Sequence, residues 1–484
     1  MKMKYLKYSL LVVLLATGAS SCSKFLEEPV DNRTLITTLP DMEKVLNTLL
    51  PYSDHHFTDL MTDDYIFRDL SGHIVASATD YVLPIFEFAV NRESISANQL
   101  LSSGFNPVTA FRRYYYSIIN ALLIIDKANS YQAITPAEET RKQVVIGRAK
   151  AIRAYCNFML VNLFAKQYAP ATAATDMGVP FIESYNGAAI VSYTRVPVQK
   201  IYQVVEEDLL AALEIVPDEE LSNAPFTFGK DAILALLSRV YLNRKDWDNC
   251  IKYSDMLIAR RPAVLNVRKL RADNTDYAAY SGKYFDPANT SNVLMGNNTY
   301  QLIAYFWNGM YPYPALQVMR DNNADAANNY IIQTSALFRD YVPQKFGKFF
   351  NTSARNFNLP LLTVDEVYFN RAEANIEKNN GMNASAISDL SLLIDNQTFT
   401  TAEGTKKKNE LAGLTTRAGA INMLLLVKRI RFSSEGVRWF DMRRHNIPVE
   451  HVGRSGTYTI DGTKPDDYVI KLPLEEITRN MGVQ

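Results

Sequence analysis

Ile233-Leu234-Ala235-Leu236-Leu237-Ser238-Arg239-Val240-Tyr241-Leu242-Asn243-Arg244-Lys245-Asp246-Trp247-Asp248-Asn249-Cys250-Ile251-Lys252-Tyr253-Ser254-Asp255-Met256-Leu257 holds two helical periods broken by one polar turn. Ile233, Leu236, Leu237, Val240 and Tyr241 recur at three- and four-residue steps. Arg244-Lys245-Asp246 interrupts them, and Trp247, Cys250, Tyr253 and Leu257 resume the spacing. The pattern predicts an αα-hairpin whose apolar stripes are core rather than a cofactor box.

The same period extends in both directions. Pro107 opens a helix with Phe111, Tyr115, Ile118, Leu122 and Ile125 on one face. Val144, Val145, Ile152, Tyr155, Phe158, Met159 and Leu163 mark a longer one. Val198, Ile201, Tyr202, Val205, Leu209 and Leu213 mark a third, stopped by Pro217. Downstream, helical signal resumes at Val364–Ala374 and continues through Ala384, Ile387, Leu390 and Leu393, then Ile421 to Ile430. With Trp and Tyr on the packing faces and small residues at the crossings, the pairs resemble tetratricopeptide units in a degenerate form, without a strict repeat. The expected fold is mainly α, a scaffold of helix pairs bearing long loop-rich insertions.

Between about residues 262 and 362 the helical period weakens. Asp, Asn, Gly, Pro and Tyr accumulate at Asp273–Tyr277, Tyr280–Phe285 and Trp307–Pro314. A loop-rich insert this long is functional or disordered, and its aromatic content argues against disorder. A second such stretch, His55 to Val90, holds Tyr65, Phe67, Arg68, Tyr81 and Phe86.

The N-terminus reads as an export signal. Lys2, Lys4 and Lys7 precede the apolar run Leu10 to Ala16, and small residues lead to Ala19-Ser20-Ser21-Cys22. Ala-Ser-Ser-Cys resembles a bacterial lipoprotein box, which makes Cys22 the expected lipidation site and first mature residue. Ser23-Lys24-Phe25-Leu26-Glu27-Glu28 resembles the signals that send Bacteroidetes lipoproteins to the outer face of the outer membrane. Acyl chains suffice as an anchor once more than one is attached, at about 0.8 kcal/mol per buried methylene.

Composition narrows the function. Lysine plus arginine number 51, equal to aspartate plus glutamate, so there is no electrostatic footprint for nucleic acid or an anionic membrane surface. Beyond Cys22 only Cys156 and Cys250 remain, each within a helical pattern where a thiol acts as a small core residue; a disulfide between them lacks support. Five scattered histidines and no Cys/His spacing give no metal centre. Asp321-Asn322-Asn323-Ala324-Asp325 is rich in oxygen ligands but lacks the EF-hand order, which favours a solvated loop over a calcium site. The 28 tyrosines against 3 tryptophans suit wet binding surfaces and helix packing alike.

Ordered motifs along the chain resemble the SusD/RagB family of outer-membrane nutrient-binding lipoproteins. Val367-Tyr368-Phe369-Asn370-Arg371-Ala372-Glu373-Ala374 is similar to its L-x-x-A-E-A helix. Ser434-Glu435-Gly436-Val437-Arg438-Trp439-Phe440-Asp441-Met442-Arg443-Arg444 is similar to its F-E-G-h-R-W-F-D-L-R-R signature. Gly147-Arg148-Ala149 with Arg153-Ala154-Tyr155, Val204–Leu209, the Asp246-Trp247 turn and Cys22 followed by Phe25-Leu26 and Pro29 complete the set. The chain departs from the family at Arg148 and Arg431, where glutamate is usual. Arg148 falls on an apolar side and should need an acidic partner, and both reversals should alter internal ion pairing rather than ligand binding. Within the signature, Gly436 would permit a tight turn, Trp439 and Phe440 would anchor it, and Arg438, Asp441, Arg443 and Arg444 could form one network.

The resemblance implies a signal peptide (1–21), a lipidated tether (22–40), an N-terminal SusD-like helical region (41–261) and a C-terminal SusD/RagB region (262–484). It implies a surface lipoprotein that binds oligosaccharide or polysaccharide and passes it to a TonB-dependent outer-membrane transporter, or, as in the RagB branch, binds oligopeptides with the same partner. No cofactor or catalysis is expected: a glycosidase needs two carboxylates about 5–9.5 Å apart in a cleft, and arginines would hold Glu435 and Asp441 ionised. Family ligand surfaces are built from loops. Sugar rings pack on aromatic faces while their hydroxyls need hydrogen-bond partners. Trp307, Asn308, Tyr311, Tyr313, Tyr280, Tyr284, Tyr65, Arg68 and Tyr81 are therefore the expected ligand residues.

Overall fold

The computed structural model describes residues 36–49, 54–65, 106–187, 192–218, 225–274, 276–299, 318, 331–333, 341–346, 356–398, 400–453, 456–480 and 482. The first helix, α1 (Leu39–Thr48), is followed by a 3₁₀ segment, Asp54–Met61. Five helices then carry the first half: α2 (Pro107–Ser130), α3 (Pro136–Phe164), α4 (Val198–Ile215), α5 (Lys230–Arg244) and α6 (Trp247–Arg260). Each packs on its neighbour in chain order, as helix-pair stacks do. A small antiparallel ribbon, β1 (Met177–Pro180) with β2 (Arg195–Pro197), links α3 to α4.

Local chemistry sets these boundaries. The Asn106 side chain accepts from Thr109 N–H at 2.9 Å and Pro107 takes the first helical position. Thr135 and Glu138 form a reciprocal capping box at α3. The α5–α6 turn places Lys245 in the left-handed region (φ 62°), where its N–H and that of Asp246 close the last carbonyls of α5. Asp246 then caps α6 by accepting from Asn249 N–H at 3.2 Å. Across the hairpin Tyr241 and Tyr253 stack with ring centroids 5.3 Å apart, and the Ser238 and Ser254 hydroxyls meet at 2.8 Å. From Val145 onward α3 is buried around most of its circumference, which makes it the central helix. Cys156 and Cys250 are buried and are not joined in a disulfide.

After α6 the chain leaves the stack. Residues 262–362 are less loop-like than their composition suggests, because α7 (Val267–Asp273) and α8 (Tyr277–Tyr284) form at the start. Asn266 and Asp276 supply the caps, accepting from Lys269 N–H at 2.8 Å and Ala279 N–H at 2.9 Å. β3 (Asn292–Thr299) leads outward, and β4 (Ile331–Gln333) pairs with β5 (Tyr341–Pro343). β6 (Asn356–Thr363) returns antiparallel to β3 with Thr299 opposite Asn356. Thr299 and Asn356, the described ends of the intervening chain, therefore sit side by side.

β6 runs into α9 (Val364–Lys378), which packs on α6 and restores the stack. Then come α10 (Ala384–Gln397), α11 (Thr401–Ala412), α12 (Arg417–Arg431) and α13 (Arg438–His445). A hairpin, β7 (Val449–Gly453) with β8 (Gly456–Ile460), and α14 (Leu474–Arg479) end the described chain. Among the described residues no helix is long and apolar enough to cross a membrane.

Candidate functional site

The signature Ser434–Arg444 is the hub of a buried charged junction. Gly436 has φ +73°, and its N–H donates to Asp59 at 2.8 Å. A Cβ there would lie 2.9 Å from His55 and 3.0 Å from His56, so only glycine lets the 54–61 segment approach. Arg438 grips Asp63 through two 2.9 Å bonds, and Tyr65 donates to Ser434 Oγ at 2.8 Å. Glu435 accepts from Lys345 at 2.7 Å and from Tyr284 at 2.6 Å. Arg431 reaches Asp365 at 2.6 Å and the Tyr284 hydroxyl at 2.5 Å. On the other side Arg444 holds Glu373 by two 2.7 Å bonds and Asp441 by a third, while Lys428 meets Asp441 at 2.8 Å.

Burial raises the Glu435 carboxyl, but Lys345 and Arg431 outweigh it and hold the group below the ordinary glutamate range. For Asp441 burial is likewise overcome by Lys428 and Arg444, and for Glu373 by Arg444 and His445. Pinned ionised, these groups are ill-suited to general-acid chemistry. Asp59 differs: burial pushes it well above the usual aspartate value against the pull of the Gly436 N–H and Lys345, with Asp64 and Glu435 adding to the rise.

The junction corrects several sequence expectations. Tyr65, Tyr280 and Tyr284, expected to offer ring faces to ligand, are 2%, 0% and 1% exposed. Tyr284 serves the ion network, Tyr65 pins the 54–65 segment, and Tyr280 packs on Tyr284 with ring centroids 5.9 Å apart. Arg438 and Arg443 do not join Asp441 in one network; Arg438 serves Asp63, and Arg443 donates to the Ala165 carbonyl at 2.6 Å. Arg431 takes acidic partners inside the core, as expected of an altered ion pairing. Arg148 does not: its Nε is buried without a partner, and burial lowers its pKa against a weaker pull from Glu43. Trp307, Asn308, Tyr311, Tyr313, Arg68, Tyr81, Cys22 and Asp321–Asp325 lie outside the described residues. Among the described residues no cluster of His, Cys, Asp or Glu could hold a metal.

Sequence reading missed an open cleft of about 640 Å³ between the start of α5, the end of α6 and the approach to β3. Pro217, Pro225, Pro262 and Pro287 frame it, and Arg260 bridges Asp218 at 2.7 Å and Asp231 at 2.6 Å within it. Its lining comes from separated stretches with no common motif, so no local pattern announces it.

Helix pairs stacked in chain order, the β3–β6 pair and a buried junction at the C-terminal signature make a fold that this chain shares with solved SusD superfamily structures. Residues 24–242 match the family model SusD-like_3, described as starch-binding associating with outer membrane. No curated protein matches the chain. A SusD superfamily protein from Bacteroides fragilis shares the fold with TM-score 0.69 at 18% identity, covering 93% of this chain and 99% of that one. One from Bacteroides thetaiotaomicron gives 0.67 at 18% identity, covering 92% and 99%. A SusD-like carbohydrate binding protein from Bacteroides vulgatus gives 0.63 at 16% identity, covering 92% and 97%.

Proposed function

We propose that this protein is a lipid-anchored, outward-facing glycan-binding protein that delivers oligosaccharide to a TonB-dependent outer-membrane transporter. The observation that carries the reading is the match of residues 24–242 to a family described as starch-binding and associated with the outer membrane. The lipobox-like Cys22 supplies the anchor. Binding rather than catalysis is supported by the ionised, salt-bridged state of the signature carboxylates. The ligand residues are Trp307, Asn308, Tyr311 and Tyr313 from the chain between β3 and β6, with Arg68 and Tyr81 from the chain before α2. Rings among Asn and Arg suit a sugar's C–H faces and hydroxyls together.

The test is electrophoresis through gels cast with starch and other polysaccharides, with a reducing-sugar assay alongside. Trp307→Ala should abolish retardation while thermal unfolding stays nearly unchanged. Equal loss of fold and retention would reassign Trp307 to packing, and sugar release above background would overturn the binding-only role. Palmitate labelling that is lost in Cys22→Ala, with a large barrel protein co-purifying from wild-type membranes, tests anchor and partner.

A further inference from the structure

Trp439 and Arg443 stand one turn apart on α13, so their side chains leave the same face of the helix. Both are fully buried, at 0% and 1% exposure. The Arg443 Nη2 donates to the Ala165 carbonyl, but among the described residues its Nε and Nη1 meet no acceptor, and neither does the indole Nε1 of Trp439. The neighbouring cations are all matched: Arg438 with Asp63, Arg444 with Glu373 and Asp441, Lys428 with Asp441. Among the described residues no carboxylate pairs with Arg443. Burial accordingly pushes its pKa down to about 10, with only Tyr202 acting the other way.

A guanidinium enclosed without counter-charge is among the most costly groups a core can hold, and three unmet N–H nitrogens add to that cost. Water would supply lone pairs but no charge. A small monovalent anion supplies both, because it accepts from several N–H donors at once and neutralises the cation. We propose that Arg443 and Trp439 form an internal anion site whose ligand is chloride. The site lies on the signature helix and makes that helix's packing sensitive to halide.

The experiment is thermal unfolding of the purified protein in sodium chloride against sodium gluconate at equal ionic strength. Tm should rise by about 1–3 °C with chloride and saturate. Arg443→Met should lose the chloride dependence, and it strands no carboxylate because none pairs with Arg443. Crystals grown with bromide should show an anomalous peak within about 3.5 Å of Arg443 Nη1. That arm uses the wild-type chain and decides the matter if the variant fails to fold. Equal Tm in both salts, chloride dependence that survives in Arg443→Met, or ordered water without anomalous signal would each overturn the proposal.

Discussion

Replacing Arg431 with methionine tests the junction at its most heavily committed cation. The guanidinium is 2% exposed, faces Asp365 at 1% and Glu435 at 3%, and lies 2.6 Å from the first and 3.5 Å from the second. Burial works to lower its pKa, but Asp365, Tyr284 and Glu435 together raise it, so the charge is held rather than tolerated. Methionine keeps much of the side-chain length and removes every donor. Glu435 would retain Lys345 at 2.7 Å and the Tyr284 hydroxyl at 2.6 Å. Among the described residues Asp365 would retain only the Leu265 N–H at 3.1 Å and become a buried carboxylate without counter-charge. Removing one partner of such a pair costs about 3–5 kcal/mol. Urea unfolding of Arg431→Met should show that loss. Adding Asp365→Asn should return at least about 2 kcal/mol, because the stranded charge is gone. A loss under about 1 kcal/mol, or no recovery in the double variant, would refute the view that this pair locks the core.

Gly436→Ala should cost about 2–4 kcal/mol in the same unfolding assay, combining positive-φ strain with a Cβ pressed on the His55 and His56 rings. Tyr284→Phe should cost about 1–3 kcal/mol by removing the hydroxyl between Arg431 and Glu435, yet leave polysaccharide retention unchanged; lost retention with intact stability would restore Tyr284 to the ligand surface. Burial lowers the His451 pKa to about 4, so its stability contribution is complete above the unfolded histidine value near 6.5 and is lost as pH falls from there toward 4, by about 3 kcal/mol in all. Unfolding measured across that window should be less pH-dependent in His451→Gln; an unchanged slope would mean that the ring does not stay neutral in the fold.

The helical frame was legible because its signals are local. Pro107 opens one helix, Pro217 stops another, and the 233–257 period marks a hairpin that the structure reproduces. Tyr280 and Tyr284 show where a local signal was outvoted. Tyr277, Tyr280 and Tyr284 already sit at three- and four-residue steps after a capping Asp276, but the surrounding Asn, Asp and Gly read as loop. The junction was not legible for a different reason. Asp59 and Gly436 are 377 positions apart, and Arg438 and Asp63 are separated by 375, so no spacing rule joins them. Arg431 could be marked as a charge reversal, but its partner Asp365 had to be seen.

Those long-range bonds bear on how binding is supported. Tyr65, three positions before Arg68, is fastened to Ser434, and Lys345, within the chain between β3 and β6, is fastened to Glu435. Tyr65 and Lys345 are therefore held on consecutive residues of one buried turn, whose shape depends on Gly436. A surface assembled from chain segments far apart in sequence needs a common footing if its rings are to keep their spacing, since a loosely held arrangement spends affinity on ordering. Buried ion pairs bring little net stability over apolar packing, but they accept only one register of partners. The signature is thus better understood as the footing for the 54–65 segment and for Lys345 than as a site that touches cargo, and its damage should weaken ligand retention only indirectly.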